Sequence, residues 1–342
     1  MIFTSISGND RPSENTPNLY SARRTGVGSE CTTIAPVIIS ASRSTDIPGF
    51  HSKWFIDRLN QGHVVWVNPF NRRSQLVSFE KTRVIVFWTK NPEPIVRHLN
   101  EIDQKGLHYY FQYTLNDYEN DGFEPNVPPI GNRIETFCRL SEKLGKERVI
   151  WRFDPLILSN SLGVGELLEK IRGVGDQIHA FTEKLVISFV DIYAYKKVQY
   201  NFRNHHIDAR EFDLQNMAQL AQGLSALNQS WNLEISTCGE TVDLKRYGIE
   251  HNRCIDDALM VKLFQADSRL MSFFGFRKGI FPHGDDWVHR KDKGQRKACG
   301  CSISKDIGMY GTCGHGCIYC YANRAPAKHD ERVKSHFSSV DG

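Results

Sequence analysis

The chain has 342 residues, enough for one large domain or two ordinary ones, and its 40% hydrophobic and 24% charged content is that of a globular protein with a sizeable core. The formal charge of +4 is too small to demand a nucleic-acid partner, although it leaves one open. No secretory signal begins the chain, and no apolar stretch approaches the ~20 residues that a membrane helix requires. We therefore expect a cytoplasmic protein without a membrane partner.

Residues 1–33 are rich in Ser, Thr, Asn, Gly and Pro without an apolar period, which predicts a mobile leader. Short β-branched runs then alternate with helical patterns. The predicted strands are PVIISAS (36–42), RVIVFWT (83–89), YYFQYTL (109–115), RVIWRFD (148–154), KLVISFVD (184–191) and NLEIST (232–237), with KDIGMYG (305–311) as a seventh. Repeated βα units predict a parallel sheet, and the lack of a G-x-G-x-x-G motif after any strand favours a full or partial (β/α) barrel.

Polar residues follow each predicted strand, and in barrels the chemistry lies at the C-terminal ends of the strands. Any single one of these residues could also simply end its strand and cap the next helix. Arg152 is harder to explain in that way, because Trp151 and Phe153 point to the opposite face and an inward arginine needs a partner. Asp154 is the nearest candidate partner. We take Lys90, Arg152 and Asp154 as candidate catalytic residues.

Cysteine usage is the sharpest feature of the sequence. Nine cysteines in a reducing compartment are unexpected as disulfides and are more typical of metal or redox sites. Cys31 lies in the leader, and Cys138 shares a helical face with Ile134 and Phe137, which predicts an ordinary buried thiol. The other seven lie in the last third of the chain.

The segment TCGHGCIYCYAN, from Thr312 to Asn323, contains three of these seven as C-x3-C-x2-C: Cys313, Cys317 and Cys320. A structural zinc site requires four ligands, so these three fit one only if Cys299 or Cys301 completes it. A cubane iron–sulfur cluster held by three thiolates instead leaves one iron open to a substrate or cofactor.

This spacing, with Tyr319 directly before the last cysteine, resembles the cluster motif of the radical S-adenosylmethionine (radical SAM) enzymes. In that superfamily the motif follows the first strand of a partial α/β barrel, as it follows KDIGMYG here. Because the other strands come earlier, the chain resembles a circularly permuted member, and a closed ring tolerates such a change. If the chain is permuted, the VIISAS strand should lie parallel to and beside KDIGMYG, so that the first and last strands of the sheet in chain order are neighbours.

The chain after the leader also resembles a bacterial family of unassigned function with a C-terminal radical-SAM-like cysteine cluster. The segments FWTKNP, RFDP, SFVDIY and KDIGMYGTCGHGCIYCYAN carry this likeness. The first two are distantly similar to spore photoproduct lyase, a radical SAM enzyme that repairs a DNA thymine dimer. They do not identify a substrate.

The resemblance implies a 4Fe-4S cluster on Cys313, Cys317 and Cys320 that binds S-adenosylmethionine and generates a 5′-deoxyadenosyl radical. It implies that Tyr319 packs against the adenine. A low-potential reductant such as flavodoxin or ferredoxin would supply the electron, and the substrate is unknown. Ser42, Lys90 and Arg152 are candidates for binding the cofactor or the substrate.

Four further thiols, Cys238, Cys254, Cys299 and Cys301, are a full ligand set for a second cubane cluster or for zinc. Cys238 and Cys254 could instead be ordinary buried thiols. The predicted organisation is a leader (1–33), a barrel (34–237), a cysteine-rich segment that completes the barrel (238–325) and a polar tail (326–342). The rival function is a zinc-stabilised module that binds nucleic acid or protein.

Overall fold

The computed structural model describes residues 32–69, 71–279 and 284–323, together with Val333 and Phe337. Nearly all of the predicted leader and polar tail therefore lies outside the described residues. The strands are β1 (Thr32–Ile34), β2 (Ile38–Ala41), β3 (His63–Val67), β4 (Ser74–Ser78), β5 (Val84–Thr89), β6 (His108–Thr114), β7 (Val149–Leu156), β8 (Lys184–Phe189), β9 (Glu234–Thr237), β10 (Ile249–His251) and β11 (Lys305–Asp306).

The helices alternate with these strands as the apolar patterns predict. They are α1 (Ile47–Phe50), α2 (Ser52–Gln61), α3 (Glu93–Val96), α4 (Leu99–Gln104), α5 (Ile130–Leu144), α6 (Val164–Ile178), α7 (Lys196–Asn204), α8 (Leu214–Trp231), α9 (Asp257–Phe264) and α10 (Ser268–Phe274). No helix within the described ranges is both long enough and apolar enough to cross a membrane.

Eight strands form one parallel sheet in the order β10-β9-β8-β7-β6-β5-β2-β11. All seven predicted strands are in it, so the predicted parallel α/β architecture is confirmed. Between the edge strands β10 and β11 the described residues make no pairing that would close a barrel. The sequence analysis missed β10, which has only three residues, and a small second sheet of order β1-β4-β3.

β11 lies parallel to β2, with Lys305 opposite Ile39 and Asp306 opposite Ser40. The predicted neighbourhood of the first and last strands of the sheet is therefore confirmed. It places the cysteine motif that follows β11 at the same edge as the residues that follow β2.

Both faces of the sheet are covered, which explains why its strands read as continuous apolar runs. One face carries Ile39, Ile85, Phe111 and Trp151 against the helices of the βα units, including α2, α5, α6 and α8. The other face is packed against α9 and α10, through the side chains Ile38, Val84, Val86, Tyr110, Ile150, Val186, Met260, Phe264, Leu270 and Phe274. The charged side chains of the cavity therefore gather where the strands end.

Candidate functional site

A cavity of about 360 Å³ opens at the carboxyl ends of the parallel strands. Its wall includes Ser42 after β2, Lys90 after β5, Arg152 and Asp154 from β7, and Glu240 after β9. All seven cysteines of the last third of the chain line it: Cys238, Cys254, Cys299, Cys301, Cys313, Cys317 and Cys320. The structure thus brings every sequence-predicted site residue, Tyr319 included, to one cavity.

The loop that carries Cys313, Cys317 and Cys320 is fastened to the βα loops by its backbone. Gly311 donates to the carbonyl of Ala322 at 2.8 Å, which closes the loop on itself. The Asn126 amide donates to Gly314 O at 3.0 Å, and the Asn201 amide donates to Ile318 O at 2.8 Å. These bonds hold the three thiols towards the cavity.

His315, between the first two cysteines of this loop, is a buried anchor that the sequence analysis did not select. Its Nε2 donates to Asp46 Oδ2 at 2.7 Å. The same carboxylate accepts from Thr89 Oγ1 at 3.0 Å and from the backbone N–H of Lys90 at 2.8 Å, and it caps α1 through Gly49 N. Asp46 therefore joins the cysteine loop, the end of β5 and the start of α1.

Lys90 and Tyr319 meet at a buried carboxylate, Glu124. Lys90 Nζ lies 2.8 Å from Glu124 Oε1, which also accepts from Asn116 Nδ2 at 2.9 Å and from the hydroxyl of Tyr319. Burial would raise the pKa of Glu124, but the charges of Lys90 and Arg133 outweigh it and hold this pKa below its usual value. The Lys90 ammonium lies 5.5 Å from the centre of the Tyr319 ring. Lys90 therefore already has an anionic partner within the protein.

Ser42 is also engaged, by Asp306 of β11. Its hydroxyl donates to Asp306 Oδ1 at 2.6 Å, while Ser40 Oγ and the backbone N–H of Arg43 donate to Oδ2 at 2.9 and 2.8 Å. Gly308 permits this close approach, because a Cβ there would lie 2.0 Å from Ser42 Oγ. The carboxylate thus fixes the end of β2 against β11.

Arg152 and Asp154 form the pair that the sequence predicted. Arg152 Nε donates to Asp154 Oδ2 at 3.0 Å, and its Nη1 donates to Gln112 Oε1 and to Cys254 Sγ, each at 3.0 Å. Burial would raise the pKa of Asp154, but Arg152 and the hydroxyl of Ser188 lower it. The pair is ionised, and its arginine lies against Cys254.

A second group of thiols lies beside Arg152. It consists of Cys238, Cys254, Cys299 and Cys301. Cys238 Sγ lies 3.3 Å from Cys254 Sγ, Cys254 interacts with Cys301, and Cys301 interacts with Cys299. Across the described parts of the chain, no three His, Cys, Asp or Glu side chains are arranged to hold a single metal ion as they stand. Cys138 lies away from the cavity, half-buried against the core on α5.

Burial favours the protonated form of the thiols of Cys313, Cys317 and Cys320. It raises the pKa of Cys313 to about 12 and raises those of Cys317 and Cys320. Burial also raises the pKa of Glu240, at the end of β9, to about 7. Without a cation the three thiols are neutral at physiological pH.

Sequence reasoning missed His315, Asp46, Glu124, Asp306 and Glu240. His315 lies inside the cysteine motif, and Asp46 lies in the polar stretch after β2, so both were within the segments that drew attention. Glu124 lies in the loop GFEPN, which has no distinguishing pattern. Only the packing reveals that it faces Lys90.

Comparisons with known proteins add a family but no activity. No curated protein matches the chain. A solved structure from Bacteroides thetaiotaomicron VPI-5482, titled a "putative alpha-L-fucosidase", aligns with a TM-score of 0.33 and 10% identity, covering 96% of this chain and 99% of that one. A family model described as a domain of unknown function (DUF1848) matches residues 38–322, which contain the sheet of eight parallel strands and all seven cavity cysteines. The chain therefore belongs to the DUF1848 family.

Proposed function

We propose that the protein is a radical S-adenosylmethionine enzyme whose cubane cluster is held by Cys313, Cys317 and Cys320. One observation carries the proposal. Three thiols on one short loop face a cavity at the carboxyl ends of a parallel sheet, beside polar residues that end four other strands. This is where βα folds concentrate their chemistry.

The donor set suits such a cluster. Three thiols are soft ligands that bind iron as thiolates, so cluster binding would release their protons. When bound, a cubane with one open iron supplies an electron for reductive cleavage of the sulfonium C–S bond of S-adenosylmethionine. Hydrogen abstraction from a substrate would follow.

The polar residues of the cavity divide into two roles in this proposal. Lys90 and Ser42 have protein partners, Glu124 and Asp306, so they position Tyr319 and the β2–β11 edge. Tyr319, held through its hydroxyl by Glu124, offers its ring to the adenine. The pair Arg152–Asp154, which also lines the cavity, orients a ligand there.

The strand order supports the finer fold assignment, a permuted partial barrel. β11 precedes the cysteine loop and lies parallel beside β2, which is the order expected if the first strand of a radical-SAM-type barrel were at the end of the chain. Parallel neighbours keep their pairing whichever connection is cut.

The test is cleavage of S-adenosylmethionine by anaerobically reconstituted, dithionite-reduced protein. We expect slow release of 5′-deoxyadenosine even without substrate, and its loss in Cys317→Ala, which removes an iron ligand. Cys138→Ala, which removes a thiol far from the cavity, is the matched control and should retain full cleavage. Undiminished cleavage in Cys317→Ala would refute the assignment. A colourless protein that binds zinc would favour the rival binding module.

A further inference from the structure

We propose that Cys238, Cys254, Cys299 and Cys301 hold a second iron–sulfur cluster, which accepts electrons from an acidic one-electron carrier docked on the adjacent basic hairpin. We define the basic hairpin as residues 290–303. The inference goes beyond the proposed function, because neither the cluster nor its docking surface depends on Cys313, Cys317 or Cys320.

Two of the four thiols, Cys254 and Cys301, receive N–H donors of the kind that surround cluster sulfurs. Arg152 Nη1 and Asn252 Nδ2 each donate to Cys254 Sγ at 3.0 Å, and the backbone N–H of Ile255 donates to Cys301 Sγ at 3.4 Å. Hydrogen bonds to the sulfurs are one of the ways in which a protein sets a cluster's reduction potential.

Two positive charges flank the same thiols. The guanidinium carbons of Arg43 and Arg152 lie 5.3 and 5.1 Å from the centre of the Trp88 ring. Arg152 bonds to Cys254, and Arg43 interacts electrostatically with Cys301. Four thiolates around a metal centre carry excess negative charge, and two buried guanidiniums compensate for it.

Two buried N–H donors beside the four thiols have no acceptor among the described residues. Arg43 Nη2 and Trp88 Nε1 lack a hydrogen-bond partner among the described residues, although buried N–H groups are normally paired. Both residues line the cavity with the four cysteines. The inorganic sulfides of a cluster would supply acceptors that a zinc ion does not bring, which favours the cluster.

The basic hairpin brings this site to the surface. Its two arms pair through Lys291 and Ser302, and Asp292 N donates to Cys301 O at 2.9 Å. The returning arm carries Cys299 and Cys301. Gly300 between them allows a tight fit, because a Cβ there would lie 3.1 Å from Arg253 Cγ. The cysteines therefore lie directly behind the outer arm.

That outer arm and the tip are strongly cationic. Residues 290–297, RKDKGQRK, carry a formal charge of +4, equal to that of the whole chain, so the remaining charges balance. Lys291, Lys293, Arg296 and Lys297 are exposed. Such a patch attracts an acidic protein by long-range electrostatics. One electron would pass from the carrier's reduced cofactor to the cluster without a proton.

Metal analysis of the variant Cys313→Ala/Cys317→Ala/Cys320→Ala tests the site alone. About four irons and four sulfides per chain are expected, because this variant retains all four second-site ligands. Zinc in their place, or no metal, would overturn the proposal. Since this variant lacks the first cluster's ligands, its outcome is separate from that of the cleavage assay.

Stopped-flow reduction of the same variant by a reduced acidic ferredoxin tests the docking surface. Lys293→Glu/Lys297→Glu in that background should slow reduction on the order of tenfold at low salt and weaken the salt dependence. The matched control, Lys53→Glu/Lys105→Glu, reverses two exposed lysines elsewhere. Photoreduced deazaflavin, a small reductant, should reduce all variants alike. Equal ferredoxin rates for the two charge-reversed variants would refute the docking surface.

Discussion

Three buried carboxylates organise the side chains of the cavity. Asp46, Glu124 and Asp306 each accept bonds from at least three groups, and some of these donors come from distant parts of the chain. A carboxylate has about four acceptor positions, so one such side chain can fix several loops at once. Asp46 holds the loop that carries Cys313, Cys317 and Cys320 in this way.

We predict that Asp46→Ala loosens the cysteine loop. The change removes the cap of α1 and leaves His315, which is 2% exposed, without its acceptor. An unsatisfied buried donor and a lost cap together cost roughly 2–4 kcal/mol. Thermal melting should show the lower stability, and iron analysis should show reduced occupancy at the first site. Asp57→Ala, at a half-exposed position on α2, should change neither; equal melting of the two variants would contradict this role.

At the element scale, the last strand is held by side chains more than by its ladder. β11 has only two residues, too few for a stable parallel pairing by backbone bonds alone. The Asp306 carboxylate adds bonds from Ser40, Ser42 and the Arg43 backbone. The Asp306 carboxylate therefore holds β11, which precedes the cysteine loop, against the end of β2.

We predict that Asp306→Ala detaches β11 and costs about 2–4 kcal/mol, because three donors lose a charged acceptor. Hydrogen exchange should show faster exchange at residues 305–311 and at the end of β2, with β6 and β7 unchanged. Asp306→Asn keeps one acceptor oxygen and should fall between wild type and Ala. Unchanged exchange at 305–311 in the Ala variant would mean that packing of Ile307 suffices.

At the scale of the whole molecule, the layer of α9 and α10 is joined to the sheet by a charge cluster. Asp267 caps α10 through Leu270 N at 3.0 Å and pairs with Arg83, before β5, and His108, the first residue of β6. Burial would raise the pKa of Asp267, but Arg83, the Leu270 N–H and His108 hold it below its usual value. The ionised carboxylate therefore stabilises the fold.

We predict a pH dependence of stability from this cluster. A depressed folded pKa means that the contribution is complete above the unfolded pKa of about 4 and disappears as the pH falls through the lower folded value. Asp267→Ala should lower the free energy of unfolding by roughly 2 kcal/mol at neutral pH, from the lost cap and ion pair. Urea unfolding should show the difference in stability between the two proteins narrowing as the pH falls below about 4. A difference in stability that does not change with pH would mean that Asp267 contributes only through its cap of α10.

Seven main strands, their parallel arrangement and the identity of the thiols could be predicted from the amino-acid sequence alone. Apolar runs, helical periods and cysteine spacing are local patterns, and each depends on neighbours in the chain. Even the pairing of β2 with β11 followed from a resemblance attached to a local motif. The leader and tail remain predictions, as do the barrel closure and the bound clusters.

The pairing of the cavity side chains, by contrast, is visible only in the folded chain. Glu124 meets Lys90 from a loop 34 positions away, and Asp306 meets Ser42 across 264 positions. Lys90 and Ser42 therefore have protein partners that the sequence did not indicate, and their role in binding a cofactor or substrate stays a prediction. The sequence also did not indicate that Arg43 and Trp88 line the cavity beside the four thiols. The physical reason is that a polar group buried at a strand end must be satisfied by whatever the fold brings near it, and no local pattern encodes that neighbour.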